Sequence, residues 1–537
     1  MRLRFPDFYT LQTDRGTVRC AWEPDIPLNE VRVNLTETDG ALRLTVYAED
    51  TPLRHISLRW TFTPEEKRAG AIRILGDAYE RAYGDLAWRG IEPERIMPWY
   101  MLVSDGSDQN PDTAGRFTEG FGVRVQCGAI VTWQYDAAGI TMRADIRCGG
   151  EGVLLGGRTL TVCDIVFGEY RDVSAFAAGR AFCRMMCPTA KLPSHRVYGS
   201  NNWYYAYGKS SHGEILADTD IVAGQCAGLE NRPYMVIDDG WQKYNVDGPW
   251  TETKPQFPDM KRLADEMRQK GVRPGIWVRY LIDSHHEIPE AADDWYFSHN
   301  RAALDPSHPE VIDYVKRTTK MLREWGYELI KHDYSTYDIF GRWGMEMNAQ
   351  MGGDGWHFYD RSRTSAEIIV DFYRAIREAA GEDCVLIGCN TVSHLCAGIF
   401  ELNRTGDDTS GREWSRTRKM GINTLAFRLM QNGIFYMADA DCVGITEKVP
   451  WVLNRLWLDV LSRSGSPLFV SCKPGVLGDA EQAELKSAWA VNSVQQNDCR
   501  PLDWMENVYP ALWLIDGETV EYDWYAQPPV PSLQAVP

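Results

Sequence analysis

The sequence predicts an α/β protein in which a (β/α)8 barrel follows an N-terminal β-sandwich and precedes a small C-terminal β-domain. Three observations lead to this fold class. The first 170 or so residues alternate apolar and polar side chains, residues 197–475 repeat a strand, a loop and a helix, and strand-like runs rich in Trp and Tyr begin at Cys499. The 537 residues exceed one compact domain, and the predicted domains are 1–190, 191–495 and 496–537.

Short alternating runs typical of antiparallel strands occupy the first predicted domain. Ala41–Tyr47, Ile56–Phe62 and Gly122–Gln126 alternate in this way and are separated by Gly, Asp and Pro turns. Short strands at this spacing predict a β-sandwich. A helical segment over Ser174–Met186 ends before Pro188, so we expect a linker helix between the sandwich and the barrel.

Residues 197–475 alternate predicted strands with amphipathic segments such as Met260–Lys270, Val311–Trp325 and Ser365–Ala380. Eight strands in about 280 residues match the size of a (β/α)8 barrel. A doubly wound open sheet has the same alternation, but no Gly-rich phosphate loop follows the first strand. The predicted strands are Val197–Trp203, Tyr234–Trp241, Val272–Val278, Glu328–Ser335, Cys384–Thr391, Phe400–Asp407, Asn432–Asp439 and Gly465–Ser471.

The composition excludes several classes of partner. Lys and Arg total 57 and Asp and Glu total 75, so the net charge is 57 − 75 = −18. Nucleic acids and anionic membrane surfaces require basic patches, and neither is an expected partner. The charge fits a soluble protein acting on a neutral small molecule, and some of the 20 Trp rings could stack on sugars.

The cysteines, the N-terminus and the histidines predict a cytoplasmic protein without a metal or other cofactor. The 13 cysteines form no C-x-x-C pair and several lie in apolar runs, which is typical of buried free thiols in a reducing cytosol. The N-terminus lacks the apolar segment of a signal peptide, and no run is long enough for a membrane span. His285 and His286 are adjacent and are expected to be solvated loop residues.

Two adjacent acids, Asp238 and Asp239, end the second predicted barrel strand directly before Gly240 and Trp241. Neighbouring strand residues point to opposite faces, so both carboxylates reach one ligand only at a strand end. The pair could be a turn or a helix cap. At the mouth of a barrel, where such folds bind their ligands, we expect it to accept hydrogen bonds from sugar hydroxyls.

Lys331 and Asp333 lie two residues apart on the fourth predicted strand and therefore point the same way. A charged pair inside a barrel is costly unless a partner or a ligand satisfies it. The pair could be a structural ion pair. In the functional interpretation, Lys331 keeps Asp333 ionised as a nucleophile and binds the sugar.

The sixth predicted strand ends with Arg404, Asp407 and Asp408, and the seventh ends with Asp439 and Asp441. One of the two aspartates after Arg404 could be a general acid, for which burial must raise the pKa. With Asp333 it would supply the two carboxylates of a retaining glycosidase, which lie about 5 Å apart. For Asp439 and Asp441, structural and substrate-binding roles are both open.

These segments together resemble glycoside hydrolase family 36, the α-galactosidases, and more distantly the rest of its clan D. Ile237–Gln242 is the most specific segment, and Lys331-x-Asp333 falls on the nucleophile position. The stretch from Arg404 to Thr409 resembles the acid/base segment, whose spacing selects Asp408 over Asp407. Further similar segments are Gly199–Gly208, Phe257–Met260, Arg273–Val278, Leu304–Glu310 and Gly388-Cys389.

The resemblance implies a retaining exo-glycosidase that removes terminal α-linked galactose. Asp333 would attack the anomeric carbon, while Asp408 would protonate the leaving oxygen and then activate water. The other implied substrate contacts are Asp238 and Asp239 with O4 and O6, Lys331 and Arg404 with ring hydroxyls, Trp203, Tyr204, Trp241 and Trp277 as walls, and Cys389.

Other interpretations stay open at this point. A glycosidase for α-N-acetylgalactosamine or α-glucose, or a galactosyl transglycosidase, would keep the same carboxylates. A catalytically silent sugar-binding protein would keep the fold, although binding alone does not need a buried nucleophile. The expected partner is a small carbohydrate, and a homo-oligomer is compatible with the sequence. Tyr337–Trp356 has no counterpart in the resemblance.

Overall fold

The structure is a computed structural model of the chain and describes residues 4–526 except for 23–26, 29, 68–71, 106–115 and 495–497. The predicted boundary at 495/496 and the Pro-rich end from Pro528 lie outside the described residues. The three domain ranges therefore stay a prediction.

Within the described part of residues 8–171, thirteen strands form two antiparallel sheets. They are β1 (Phe8–Thr13), β2 (Gly16–Ala21), β3 (Pro27–Leu28), β4 (Val31–Thr38), β5 (Ala41–Tyr47), β6 (Leu53–Thr61), β7 (Arg73–Gly76), β8 (Met97–Pro98), β9 (Tyr100–Ser104), β10 (Phe117–Val123), β11 (Ile130–Asp136), β12 (Gly139–Asp145) and β13 (Thr159–Arg171). The strand orders are β2-β1-β6-β12-β11-β8 and β3-β4-β5-β13-β10-β9-β7.

Aromatic side chains join the two sheets face to face. Trp60 on β6 and Trp133 on β11 belong to the first sheet, and both contact Phe167 on β13 of the second sheet, with ring centroids 5.4 and 6.2 Å apart. All three rings are buried, as expected for inward positions of alternating strands. The predicted β-sandwich is confirmed.

The next nine strands form one parallel sheet that closes into a barrel. They are β14 (Tyr198–Asn201), β15 (Tyr234–Ile237), β16 (Arg273–Val278), β17 (Leu329–His332), β18 (Val385–Gly388), β19 (Leu402–Arg404), β20 (Met437–Asp439), β21 (Cys442–Ile445) and β22 (Leu468–Cys472). Their order is β20-β19-β18-β17-β16-β15-β14-β22-β21. The two end strands are separated in the chain by Ala440 and Asp441 alone, so they are two parts of one seventh strand, and the barrel has the eight predicted positions.

Helices cover the barrel, and several of the longer ones begin at a residue whose side chain caps the first turn. The Thr364 hydroxyl accepts the N–H of Glu367 at 3.1 Å, and the Glu367 carboxylate accepts the N–H of Thr364 at 2.9 Å, so a capping box starts the predicted helix at Ser365. The helices are α1 (Ala175–Met186), α2 (Trp203–Ala206), α3 (His212–Gln225), α4 (Met260–Gln269), α5 (Pro309–Glu324), α6 (Ser335–Phe340), α7 (Ser365–Ala380), α8 (Ser393–Cys396), α9 (Trp414–Thr417), α10 (Thr424–Arg428), α11 (Trp451–Arg463) and α12 (Asp479–Asn492), with short turns at Asp293–Trp295, Gly344–Glu346, Arg418–Asn423 and Leu429–Gln431.

A small antiparallel sheet follows the barrel and completes the predicted fold class. It contains β23 (Cys499–Pro501), β24 (Leu512–Ile515) and β25 (Glu518–Glu521). Trp504 beside this sheet packs on Trp88 of the N-terminal region, with ring centroids 5.3 Å apart. Among the described residues, no helix combines the length and the hydropathy needed to traverse a bilayer.

Candidate active site

Asp333 follows β17 at the barrel mouth, and 8% of its surface is exposed. Its Oδ2 accepts a hydrogen bond from Trp277 Nε1 at 3.1 Å, and its Oδ1 accepts the backbone N–H of Tyr334 at 2.7 Å. Tyr334 has a φ of 64°, so the chain turns directly after the carboxylate. Two donors therefore hold the carboxylate in one orientation, which is what a nucleophile needs.

Lys331 pairs with Asp238 rather than with Asp333. Its Nζ donates to Asp238 Oδ2 at 2.7 Å, and Asn201 Nδ2 donates to the same oxygen at 2.7 Å. Burial would lower the pKa of Lys331, but the charge of Asp238 raises it well above its ordinary value, with a smaller contribution from Asp333. The sequence interpretation had Lys331 keep Asp333 ionised, whereas in the structure its direct hydrogen bond is to the acid that follows β15.

Asp239 occupies the turn after β15 and faces a different set of donors. Its Oδ1 accepts the N–H of Val246 at 2.7 Å and a hydrogen bond from Gln242 Nε2. Burial raises the pKa of Asp239 above its usual value. Gly240 follows with a φ of 115°, and a Cβ there would lie 2.6 Å from Gly208, so the tight turn that presents both acids requires glycine.

Asp407 and Asp408 have different surroundings. Both oxygens of Asp407 are in ion pairs, with Arg81 Nη2 at 2.8 Å and Arg416 Nη2 at 2.7 Å, and its side chain is 15% exposed. Asp408 is 35% exposed, with Arg404 Nη2 at 3.3 Å and Arg81 Nη1 at 3.9 Å from its Oδ1. Of the two, Asp408 has the more accessible carboxyl.

The pKa of Asp408 departs from the sequence prediction. Burial raises it, as expected for a general acid, but the guanidinium of Arg404 and then that of Arg81 outweigh burial and hold the pKa below its ordinary value. The sequence could not indicate the contribution of Arg81, which belongs to the N-terminal region.

Arg404 is a buried hub at the end of β19. Its Nη1 donates to Cys389 Sγ at 3.4 Å, and its Nη2 lies 2.9 Å from Asp441 Oδ2. Asp441 also accepts the N–H of Thr409 at 2.8 Å, and its own N–H donates to Asp439 Oδ1 at 3.0 Å. Asp441 thus has a structural role in holding Arg404 beside Asp408, and Asp439 supports it.

The four rings predicted as walls are placed unequally. Trp203 is partly exposed, whereas Tyr204, Trp241 and Trp277 are buried. Trp241 Nε1 donates to the carbonyl of Trp277 at 3.0 Å, so Trp241 supports Trp277 from behind. The hydroxyl of Tyr204 donates to Asp441 and thereby braces the seventh strand. Trp277 contacts Asp333 itself.

No cluster of three or more His, Cys, Asp or Glu side chains suited to a metal ion occurs in the described part of the chain. His285 stacks on Tyr244 with ring centroids 3.9 Å apart, and 49% of its side chain is exposed. This agrees with its expected place in a solvated loop.

Comparison with solved structures identifies the architecture. No family model matches the chain. The α-galactosidase of Thermus thermophilus, solved with p-nitrophenyl α-D-galactopyranoside, is similar with a TM-score of 0.62 at 16% identity, over 96% of this chain and 98% of that one. A family 36 α-galactosidase of Geobacillus stearothermophilus, solved with 1-deoxygalactonojirimycin, is similar with a TM-score of 0.61 at 13% identity, over 96% and 79%. The chain has the fold of these α-galactosidases.

The resemblance to glycoside hydrolase family 36 is confirmed for the fold, and it extends beyond the segments that suggested it. Those segments lie within about residues 195–475, whereas the similarity to the Thermus enzyme covers 96% of the chain. The N-terminal region is therefore part of the shared architecture, and the segment between β7 and β8 brings a residue to the site.

Arg81 is the site residue that sequence reasoning missed. The N–H of Ala82 donates to the carbonyl of Thr405 at 2.9 Å, and the N–H of Asp407 donates to the carbonyl of Ala82 at 2.9 Å. This short parallel bridge brings Arg81 beside Asp407 and Asp408. No motif around Arg81 indicates the contact, because its partners lie more than three hundred residues further along the chain.

Proposed function

We propose that the chain is a retaining, exo-acting glycoside hydrolase that removes terminal α-linked galactose. In the first step, a carboxylate oxygen of Asp333 attacks C1 of the sugar while Asp408 gives its proton to the departing glycosidic oxygen. In the second step, Asp408 takes a proton from water, the water oxygen attacks C1, and the bond to Asp333 breaks.

The main support is that two differently held carboxylates share one barrel mouth. Asp333 is fixed by two hydrogen bonds, as a nucleophile requires, and Asp408 has a more open carboxyl beside Arg404. Both carboxylates lie near the Tyr334 hydroxyl, because the pKa of Tyr334 is raised by burial, by the charge of Asp333 and by that of Asp408. Catalytic residues of such barrels come from the ends of several strands, and these two follow β17 and β19.

Galactose is the proposed sugar because Asp238 and Asp239 lie in one turn and present acceptor oxygens held by different donors. Lys331 and Asn201 orient Asp238, while Val246 orients Asp239. Such a pair can bind two hydroxyls with defined geometry. The Thermus α-galactosidase has also been solved with stachyose, so a small neutral oligosaccharide is the proposed substrate class here.

The ionic surroundings of Asp408 favour the second step. Its lowered pKa keeps the carboxylate ionised, and that is the form that takes a proton from water. The first step uses the protonated form. We therefore propose that kcat/KM for a galactoside with a poor leaving group rises as the pH falls towards the pKa of Asp408.

A reducing compartment is proposed for the protein. All 13 cysteines are free thiols, and 11 of them are buried. This is the usual state of cysteines in the cytoplasm.

The test of the proposed function is release of p-nitrophenol from the α-galactoside, the α-glucoside and the α-N-acetylgalactosaminide. We expect turnover of the galactoside alone, reduced about 10⁴-fold in Asp333→Ala because the nucleophile is lost. Turnover of another glycoside would keep the mechanism and change the sugar. Silence on all three would contradict the proposal and favour a transferase or a binding protein.

Asp407→Asn and Asp408→Asn form a matched pair for the acid/base assignment. p-Nitrophenolate can depart as an anion, whereas methanol departs only after the glycosidic oxygen has been protonated. Asp408→Asn should therefore lose about 10²–10⁴-fold in kcat/KM on methyl α-galactoside and less on the nitrophenyl substrate. Asp407→Asn should show no such dependence on the leaving group. The reverse pattern would reassign the acid to Asp407.

A further inference from the structure

The segment between α6 and α7 crosses from the barrel to the N-terminal region. The N–H of Gly344 donates to Glu80 Oε1 at 2.7 Å, and the hydroxyl of Tyr79 donates to the carbonyl of Asn348 at 2.7 Å. Residues 343–348 are thus hydrogen-bonded to residues 79–80, which directly precede Arg81. The sequence offered no role for this segment.

Three aromatic residues, Tyr334, Tyr337 and Trp343, form what we call the aromatic bridge. Trp343 stacks on Tyr337 with ring centroids 4.4 Å apart and an angle of 25°, and it meets the edge of Tyr334 at 5.6 Å. Tyr334 directly follows Asp333. The guanidinium carbon of Arg81 lies 5.2 Å from the centroid of the Trp343 ring. The aromatic bridge therefore extends from the residue after Asp333 to the cation beside Asp408.

Arg81 is a buried cation, and its guanidinium group is surrounded by anions and aromatic rings. It is 6% exposed, with Nη2 at 2.8 Å from Asp407 and Nη1 at 3.8 Å from Cys389 Sγ and 3.9 Å from Asp408. A buried guanidinium is stable only where anions and π-faces compensate for lost water. Asp407 holds one end of the planar group, and the rings of Trp343 and of Tyr83 lie 5.2 and 5.9 Å from the guanidinium carbon.

We propose that Trp343 is a positioning residue that holds Arg81 against Asp408 and thereby sets the proton affinity of the acid/base. The inference rests on the proposed function of Asp408. It assigns to the segment after α6 a specific part in the reaction, in which Arg81 transfers no proton and acts through its charge alone.

The charged and titratable groups around Asp408 include the cations Arg404, Arg416, Lys331 and Arg81, the phenols Tyr204, Tyr207 and Tyr334, and the adjacent carboxylate Asp407, which shares Arg81 with Asp408. Arg404 and Arg416 come from the same stretch of chain as Asp408, and Lys331 is paired with Asp238. Arg81 alone among these cations comes from the N-terminal region and contacts the aromatic bridge. A change in its position should therefore change the pKa of Asp408 and leave the other cations in place.

The experiment is the pH profile of kcat/KM on methyl α-galactoside for wild type, Arg81→Gln, Arg81→Lys, Trp343→Leu and Trp343→Phe. The limb of the pH profile that is due to Asp408 is identified as the one that disappears in Asp408→Asn. We expect Arg81→Gln to move this limb up by about one pH unit, since a nearby cation no longer favours the carboxylate. Trp343→Leu should move it in the same direction by less, and Trp343→Phe and Arg81→Lys should stay closer to wild type.

Met345→Ala is the matched control, because Met345 lies in the same segment, is 65% exposed and should leave the profile unchanged. Thermal midpoints show whether each variant is folded. A limb that moves in Arg81→Gln but not in Trp343→Leu would overturn the positioning role, and a limb unmoved in both would overturn the role of Arg81 as well. Absence of turnover by wild type would instead contradict the proposed function.

Discussion

Trp277 shows how one side chain can orient the proposed nucleophile. Its indole N–H donates to Asp333 Oδ2 at 3.1 Å, and its carbonyl accepts from Trp241. A hydrogen bond to a carboxylate contributes about 1.5–3 kcal/mol. The orientation of the proposed nucleophile thus depends on a residue of the neighbouring strand β16.

We predict that Trp277→Phe keeps the ring and loses the donor, so that kcat falls about tenfold with a smaller change in KM. Steady-state kinetics on the nitrophenyl galactoside provide the measurement. Trp241→Phe is the control, because it removes a donor to Trp277 and none to Asp333. An unchanged kcat in Trp277→Phe would show that the hydrogen bond does not assist the nucleophile.

His332 is a second residue whose surroundings have a measurable effect. It lies among Tyr280, Phe372 and Phe400, neither ring nitrogen has a hydrogen-bond partner among the described residues, and burial lowers its pKa to about 3. In the unfolded chain His332 has its ordinary pKa of about 6.5 and binds a proton below that pH, whereas in the folded chain it stays neutral. Stability is therefore complete above about pH 6.5 and is lost as the pH falls towards 3.

We predict that His332→Leu removes this loss, which amounts to about 2 kcal/mol at pH 5. The thermal midpoint of the variant minus that of wild type should increase as the pH is lowered from 7 to 5. Comparison of the two proteins cancels the other titrating groups. A difference in midpoint that does not vary with pH would contradict the explanation, and unchanged activity at pH 7 would show that Asp333 is undisturbed.

At the scale of elements, the seventh barrel strand is interrupted at Asp441, the carboxylate that pairs with Arg404. Asp441 has a φ of 70° between β20 and β21, and its side chain accepts from Tyr204, Thr409 and Arg404. A single unbroken strand would direct this side chain by simple alternation. The left-handed residue instead turns it towards Arg404, which holds the arginine beside Asp408.

Asp441→Ala should lower the free energy of unfolding by about 3 kcal/mol, since the buried guanidinium of Arg404 loses the closer of its two carboxylate partners. It should also reduce kcat/KM, because Arg404 loses its anchor. Asp441→Asn keeps an acceptor and tolerates the positive φ, so its losses should be smaller. Denaturation midpoints and kinetics of the two variants test this. An alanine variant as stable as wild type would rule out the structural role.

Over the whole molecule, a buried ion pair fixes the N-terminal sheets on the barrel. Asp77 Oδ1 lies 2.7 Å from Arg428 Nε, and the two side chains are 3% and 1% exposed. Arg428 also donates to the carbonyls of Glu80 at 2.6 Å and Thr405 at 3.1 Å. These bonds satisfy the buried cation, and they bring residues 77–82 to the loop after β19. The place of Arg81 in the site follows from this interface.

Local patterns were sufficient for the fold class and for the positions of the main carboxylates. Period-two alternation and helix caps place the strands and helices, and a strand end places Asp333 and Asp408 at the mouth of the barrel. The break in the seventh strand was not predicted, because one left-handed residue leaves no pattern in the neighbouring side chains. That Trp241 lies buried behind Trp277 was also not foreseen, since a strand-end position does not tell which ring lies behind another.

The sequence alone determined the order of elements, the barrel and the residues at its mouth, because these depend on neighbours within a few positions along the chain. The partners of the charged groups depended on the folded structure. Lys331 bonds Asp238 rather than Asp333, and Arg81 reaches Asp407 and Asp408 from the N-terminal region. Ion pairs act over a few ångströms in a medium of low dielectric, so they are decided by which strands and sheets pack together.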